Sequence, residues 1–152
     1  MASNRHLGRI IALQTLYEYD FRCDASDDAA DISGILARNL ERYADKIDDK
    51  NFVERLVDGV SKSAKQLDEC IAPIAPEWPL SQIAAVDREI LRMAAYELKE
   101  FGDFVPPKVV INEAVELAKS FGSENSSRFI NGVLGTLWRQ MNEKEQKDDQ
   151  IE

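Results

Sequence analysis

The hydrophobic positions of this chain recur with helical spacing, most clearly between Pro106 and Trp138. After the proline pair, one apolar face repeats at i, i+4, i+7, i+8 and i+11, formed by Val110, Ala114, Leu117, Ala118 and Phe121. Gly122 follows at a position where helices commonly end in a left-handed residue. Polar residues 123–126 can cap a second helix, whose apolar stripe runs from Phe129 to Met141. The pattern predicts two consecutive helices with a short joint.

The same period returns earlier in the chain, between polar or proline-rich breaks. Four further helices are predicted: one capped by Ser3 or Asn4 and carrying Ile10, Leu13, Leu16 and Tyr17; one capped by Asp31; the longest run, from Phe52 to Ile71; and one capped by Asp87 and ending near Leu98. A short helix over residues 80–85 would be the seventh.

Three prolines, at positions 73, 76 and 79, break the helical pattern near the middle of the chain. Trp78, between them, is predicted to cover a hydrophobic seam. Since no segment alternates like a strand, the prediction is an all-α fold of six or seven helices, forming one domain over residues 1–141. Its two helical subdomains would span about 1–72 and 80–141, and the charged tail 142–152 is predicted to be disordered.

Four residues inside the last two helices are unusual for such positions. Gly132 and Gly135 should each cost about 1 kcal/mol relative to alanine, so we expect a neighbouring helix to approach them closely, with a functional need for bare backbone as the alternative. Asn112 and Asn131 interrupt apolar patterns and are expected to make interhelical hydrogen bonds.

Composition narrows the class of protein. The chain has 152 residues, of which 44% are apolar, and it contains neither an apolar run long enough to span a membrane nor a secretory signal pattern, so a cytoplasmic protein is expected. Cys23, Cys70 and the single histidine, His6, offer neither a disulfide framework nor a zinc site, and no cofactor is predicted. The net charge of −9 disfavours indiscriminate nucleic-acid binding, so any RNA-binding surface must be local.

Sequence motifs of enzymes are missing: there is no phosphate-binding glycine loop, dinucleotide fingerprint or zinc-protease motif. Glu113 and Glu116 stand near a helix start, where acids favour the helix dipole. The chain is therefore predicted not to be an enzyme.

Two helix starts carry the residue types that bind nucleic acid. Arg5, His6 and Arg9 cluster on the first turns of the first helix. At the start of the last helix, serine hydroxyls, unpaired backbone N–H groups and Arg128 could together bind a phosphate. Either cluster alone would more often be an ordinary solvated helix end.

Three motifs, in order, resemble the NusB family of bacterial transcription antitermination factors. They are RHLGRIIALQTLYEYD from Arg5 to Asp20, DREILRMAAYEL from Asp87 to Leu98, and the pair INEAVELAKSFG and FINGVL in the last two helices. Four positions depart from the family pattern. His6 stands where a second arginine is usual, Leu7 and Gly8 are less basic or less helical than in many members, and Asn125 stands where many members have an acid.

The resemblance implies a function in transcription. It implies binding of boxA RNA from ribosomal operons together with NusE, a small-subunit ribosomal protein, and entry into the antitermination complex of RNA polymerase. The implied RNA-binding residues are Arg5, His6, Arg9, Tyr17, Lys119, Ser126, Arg128 and Phe129. Asp87 is assigned to the face that binds the basic partner protein.

Some alternatives stay open at this point. The chain could be a helical interaction or dimerisation module with little RNA binding, and the free protein could be a homodimer. Similar domains occur fused to ribosomal RNA cytosine methyltransferases, but this sequence has no pattern of a cofactor-binding α/β domain, so methyltransferase activity is not expected of it. Phe129 is expected to stack on a base, with a place in the core as the competing interpretation.

Overall fold

A computed structural model describes residues 2–75 and 83–151 of the chain. In these residues six α-helices follow one another: α1 (Ala2–Asp24), α2 (Ile32–Arg42), α3 (Lys50–Ile71), α4 (Ala85–Glu100), α5 (Pro107–Phe121) and α6 (Ser126–Ile151). A 3₁₀ turn at Ala72–Ile74 follows α3. The predicted all-α fold is confirmed. None of the helices in this part of the chain is both long and apolar enough to cross a membrane.

The chain divides into two compact units, residues 1–63 and 64–152. The sequence analysis put the division at the proline segment. In the structure the boundary falls within α3, with residues 50–63 of this helix in the first unit and residues 64–71 in the second. Pro76, Trp78, Pro79 and residues 80–82, the first half of the short helix predicted over 80–85, lie outside the described residues.

The first unit, residues 1–63, packs α1 and α2 against the beginning of α3. Its apolar core contains Ile11, Leu13, Leu16, Ile35, Leu40, Phe52, Val53 and Leu56. One buried polar pair crosses this core: the Asn39 amide donates to Thr15 Oγ1 at 3.0 Å, and that hydroxyl donates to the Ile11 carbonyl at 2.8 Å. Since a buried polar group without a partner is costly, these bonds explain how the pair is accommodated.

The second unit, residues 64–152, packs α4, α5 and α6 around a core that includes Ile90, Leu91, Met93, Val110, Leu117, Ile130 and Leu134. Arg92 joins α4 to the end of α3 by a bidentate contact, with both nitrogen–oxygen distances to Asp68 at 2.7 Å. Its third contact is Glu89, at 2.8 Å. Glu89 is 1% exposed, so this guanidinium supplies the opposite charge that a buried carboxylate requires.

The helix starts confirm some predicted caps and correct others. Asp31 caps α2 as predicted, accepting from the Gly34 amide at 3.2 Å. Asn4 lies inside α1 instead of capping it, and its amide joins the loop before α3, donating to the Lys46 carbonyl at 2.8 Å and accepting from the Asp48 amide at 2.9 Å. Asp87 is in the first turn of α4, where the N-cap is Ala84.

The glycines and asparagines of α5 and α6 also differ from the sequence interpretation. A Cβ at Gly132 or Gly135 would meet nothing within 4 Å, so the predicted close approach of another helix is wrong for the described residues. Asn112 and Asn131 are exposed, and within the described residues neither makes the expected interhelical hydrogen bond. The two asparagines are polar residues at exposed positions, so they need no interhelical partner. The helical spacing of the sequence alone could not show that these positions are exposed.

In the same unit, α6 continues to Ile151, through the segment for which the sequence predicted a disordered tail. Residues 142–146 are exposed, as their polarity suggested. Glu, Lys and Gln are good helix formers, and extending an existing helix requires no new nucleation. A polar segment without a core contact can therefore continue a helix that is already formed.

Candidate nucleic-acid interface

A cleft of about 310 Å³ lies in the second unit, where the start of α4 meets the joint between α5 and α6. Its walls come from two separate stretches of sequence. The lining residues are Ile83, Ala84, Asp87, Ser123, Asn125, Ser126 and Phe129. The cleft is therefore a product of the packing of α4 against α6.

Ser126 connects the two walls. Its hydroxyl donates to Asp87 Oδ2 at 3.0 Å and accepts from the Ser123 amide at 2.8 Å. Ser126 is 2% exposed, so this hydroxyl is committed to internal partners, and the prediction that it contacts RNA directly does not fit. Its place in the structure indicates that it positions Asp87.

Gly122 makes this arrangement possible by the absence of a side chain. Its φ of −93° is not left-handed, contrary to the sequence prediction. A Cβ here would lie 2.6 Å from the Ser126 side chain and 2.8 Å from the Ala118 carbonyl oxygen. Glycine is required because the chain turns back tightly against the start of α6.

Asp87 is the unusual residue of the cleft, because its carboxylate is buried and only one of its oxygens is hydrogen-bonded among the described residues. It is only 7% exposed, and although Oδ2 is bonded to Ser126, Oδ1 has no hydrogen-bond partner among the described residues. A buried acceptor without a partner is costly and uncommon. Asp87 lines the cleft, although this second oxygen is itself buried.

Phe129 lines the same cleft as Asp87. The ring is half-buried, so it is neither a core side chain nor a fully solvated one. Ile83 lines the same cleft and is 7% exposed. The combination of an aromatic face with one unpaired acceptor suits a planar ring that has an N–H donor at its edge, as the nucleobases do.

The cleft is less suited to a phosphate than the sequence indicated. An anion placed there would meet the Asp87 carboxylate, and like charges at close range repel. Arg128 is exposed on the first turn of α6, and it makes no hydrogen bond or ion pair with the other described residues. It can neutralise a phosphate outside the cleft while a base occupies the inside.

The N-terminal arginines lie in the first unit, against Phe52. The guanidinium carbons of Arg5 and Arg9 are 5.3 and 5.2 Å from the centroid of that ring, within cation–π range. Arg9 is 2% exposed, so direct RNA contact by Arg9, which the sequence predicted, does not fit this conformation. Arg5 and His6 are half-buried and keep part of their surface in solvent.

Gly8 lets this turn of α1 lie close to α3. A Cβ at Gly8 would be 3.1 Å from Val53 Cγ2 and 3.4 Å from Phe52 Cδ1. The glycine in the arginine-rich motif is therefore explained by packing between two helices of the first unit.

The two remaining predicted RNA residues, Tyr17 and Lys119, are not among the residues that line the cleft. Tyr17 is 38% exposed on α1 and stacks with Phe21. Lys119 is exposed on the last turn of α5, with its Nζ 3.6 Å from Glu116 Oε1.

The cleft thus contains three of the residues predicted from the sequence: Asp87, Ser126 and Phe129. The sequence analysis had assigned Asp87 to the face that binds the partner protein, and the other two to RNA binding. The structure adds Ile83 and Ala84, which no sequence signal marked because an apolar residue before a helix is ordinary. Within residues 2–75 and 83–151, no group of three or more His, Cys, Asp or Glu side chains is placed to hold a metal ion.

Comparison with known proteins relates this chain to a class of transcription factors. The chain is 48% identical to the transcription antitermination protein NusB of Roseiflexus castenholzii over 138 residues, which are 90% of this chain and 93% of the relative. The NusB of Chloroflexus aggregans is 46% identical, over 90% of this chain and 88% of the relative. Residues 6–139 match the NusB family.

The chain belongs to the NusB family. Solved structures agree: NusB of T. maritima has a TM-score of 0.78 at 32% identity, over 89% of this chain and 90% of that one. A structure of the antitermination factors NusB and NusE in complex with dsRNA shares the fold, with a TM-score of 0.76 at 24% identity, over 92% of this chain and 99% of that one.

Proposed function

We propose that this chain is a transcription antitermination factor that binds boxA RNA together with the ribosomal protein NusE, and that the complex joins RNA polymerase in the cytoplasm. Membership of the NusB family supports the class of function. The observation that supports RNA binding at particular residues is a cleft lined by both the Phe129 ring and Asp87, a buried carboxylate with one oxygen unpaired among the described residues.

In this proposal a base of single-stranded RNA enters the cleft. Its face stacks on Phe129, and an amino or imino N–H at its edge donates to Asp87 Oδ1. Ser126 holds the carboxylate in place through Oδ2. A carboxylate accepts and does not donate, so the cleft favours bases with an N–H donor on the exposed edge.

Phosphate contacts come from outside the cleft. Arg128 on α6 is suited to this role, and Arg5 and His6 offer further positive or polar groups in the first unit. Lys119 is a further exposed cation. These groups are few for a chain of net charge −9, which is why a basic partner protein is part of the proposal: it supplies the additional positive surface that RNA requires.

The test is an RNA titration by fluorescence anisotropy, with and without NusE. Phe129→Ala should lower boxA affinity by about 1 to 3 kcal/mol. Asp87→Asn keeps an oxygen for Ser126 but removes the charge that attracts a base N–H, so boxA affinity should fall relative to a scrambled RNA. Phe121→Ala is the matched control, since Phe121 is 42% exposed and does not line the cleft.

The competing function is a helical interaction or dimerisation module with little RNA binding. Burial of Arg9 and the acidic net charge favour it. If neither boxA nor scrambled RNA binds with NusE present, while gel filtration detects a stable homodimer or a stable NusE complex, the interaction module is correct and the RNA cleft is not.

A further inference from the structure

A second cleft, of about 540 Å³, lies in the second unit. It is formed by the end of α3 with the 3₁₀ turn that follows, by the end of α4 and by the second half of α6. Asp87 of the RNA cleft is in the first turn of α4, whereas Leu98 of the second cleft is near its end, about 16 Å further along the helix axis. The second cleft is therefore a separate site, and its volume is in the range of about 300 to 1,000 Å³ that is typical of small-molecule sites.

Much of the lining of the second cleft is apolar. Leu98 and Leu137 are 6% and 3% exposed, and Cys70, Trp138 and Met141 are half-buried. An indole ring and a thioether offer a large contact surface, and methionine adapts its shape to the group that it contacts. Because Trp138 and Met141 line the cleft and are only half-buried, part of this surface is available to an apolar group of a ligand.

Four charged side chains line the second cleft as well, namely Glu69, Lys99, Lys144 and Glu145. All four are exposed, and none of them forms an ion pair with another described residue, including one another. A ligand with only negative groups would gain from the lysines but would meet the two carboxylates, and a purely cationic ligand would have the converse cost. A ligand that has one group of each sign can use both kinds of side chain.

The end of α6 supplies part of this lining. Met141, Lys144 and Glu145 are spaced i, i+3 and i+4, so they lie on one face of the helix. They come after Leu137, the last residue of α6 in the apolar core of the described chain. The polar end of α6 thus has a place in the structure that core packing does not explain.

We propose that the second cleft binds a zwitterionic α-amino acid with an aromatic or long aliphatic side chain, either free or in a dipeptide. The side chain of the ligand contacts Trp138 and Met141. Its carboxylate pairs with the lysines of the lining, and its ammonium group pairs with the glutamates. Binding is non-covalent and requires neither RNA nor NusE.

Calorimetry on the full wild-type chain tests this proposal with L-phenylalanine as the probe. We expect saturable binding of phenylalanine. Phenethylamine lacks the carboxylate and 3-phenylpropionate lacks the ammonium group, so each should bind about tenfold more weakly. The dipeptide phenylalanylglycine distinguishes the two sources of the ligand: tighter binding of phenylalanine supports a free amino acid, and the reverse order supports a dipeptide.

Variants on α6 assign the ligand to the second cleft. Lys144→Gln should weaken phenylalanine and phenylpropionate about threefold but leave phenethylamine unchanged, whereas Glu145→Gln should weaken phenylalanine and phenethylamine but not phenylpropionate. Met141→Ala should weaken all three probes. Glu143→Gln is the matched control, because Glu143 is exposed on the same helix and does not line the cleft.

Fluorescence gives a second measurement. The chain has two tryptophans, so Trp78→Phe leaves Trp138 as the only indole reporter. Phenylalanine should change the Trp138 emission with the midpoint that calorimetry finds for the wild-type chain. Phe129→Ala, which alters the RNA cleft, should bind phenylalanine like the wild type.

Three results would overturn the proposal. The first is that neither phenylalanine nor the dipeptide binds the wild-type chain at millimolar concentration. The second is an equal affinity for phenylalanine and both single-charge analogues, which would mean an apolar site without selection for a zwitterion. The third is unchanged binding in Lys144→Gln, Glu145→Gln and Met141→Ala, or a loss in Phe129→Ala, which would place the ligand elsewhere. None of these results bears on boxA binding, which the RNA titration tests separately.

Discussion

At the scale of single residues, two glycines near the cleft lead to opposite expectations. Gly132 is exposed within α6, and a Cβ there meets nothing within 4 Å. Glycine in a helix interior costs about 1 kcal/mol relative to alanine because of its backbone entropy. We expect Gly132→Ala to raise the free energy of unfolding by up to about 1 kcal/mol, measured by urea denaturation.

Gly122→Ala is the contrasting variant in the same assay. The new Cβ would lie 2.8 Å from the Ala118 carbonyl oxygen, and backbone cannot move aside as cheaply as the end of a side chain. A loss of about 1 to 3 kcal/mol is expected. If Gly132→Ala destabilised the chain as much as Gly122→Ala, a Cβ at position 132 would have to clash with a neighbouring group. The structure contains no such neighbour within 4 Å among the described residues.

What the sequence could predict at this scale was residue type, and what it could not predict was the partner of each polar atom. A serine at a helix start suggested a phosphate ligand, yet the Ser126 hydroxyl is bonded to Asp87. Arginine at the start of α1 suggested an RNA contact, yet Arg9 lies against Phe52. In both cases the residue that makes the contact is distant in sequence, so the local sequence pattern could not indicate the contact.

At the scale of helices, the periodic patterns were sufficient, because an amphipathic stripe reports directly which face is buried. All six predicted long helices are present in the described residues. Ends were harder to predict. Capping depends on local hydrogen bonds that several nearby side chains can make, and Asn4 bonds to a loop near residue 47 in place of its own helix.

The connection between α1 and α2 gives a pH-dependent prediction. The hydrogen bond from Arg38 is the main cause that lowers the pKa of Glu18 below its ordinary 4.5, with Arg22 adding to it. Since the folded pKa is depressed, the stabilisation is present above pH 4.5 and is lost as pH falls through the lowered pKa. Glu18→Gln should therefore cost about 0.5 to 1 kcal/mol at neutral pH.

The measurement is the free energy of unfolding of both proteins as a function of pH. The two curves should converge on acidification below the ordinary glutamate range. Asp58→Asn, which breaks an exposed pair with Lys62, is the control and should have a smaller effect at neutral pH. A difference between Glu18→Gln and wild type that persists at the acid end would mean that Glu18 acts through packing and not through its charge.

At the scale of the molecule, the candidate cleft depends on which helices meet. Asp87 and Ser126 are 39 residues apart, and nothing in the period of α4 or α6 indicates that their first turns share a wall. The family resemblance brought attention to Phe129 and Ser126 but assigned Asp87 elsewhere. Three-dimensional packing was needed to unite an aromatic ring with an unpaired carboxylate oxygen.

The last prediction concerns where this acidic chain can contact phosphate, and it distinguishes Arg5 from Arg9. On sequence grounds both should contact phosphate, so that each substitution would lower the slope of log K against log salt. In the structure Arg5 keeps some exposure, whereas Arg9 is 2% exposed against Phe52. Only Arg5 is therefore placed to neutralise a phosphate without rearrangement.

With NusE present, Arg5→Ala should reduce the magnitude of the boxA salt slope by about 0.7, the value for one phosphate of a single strand. Arg9→Ala should leave the slope unchanged and lower the melting temperature, because a buried guanidinium and its ring contact are lost. Lys62→Ala, at an exposed ion pair on α3, controls for general charge loss. An equal decrease in slope for Arg5→Ala and Arg9→Ala, with unchanged melting, would mean that Arg9 leaves Phe52 when RNA binds, and that the buried conformation belongs to the free protein alone.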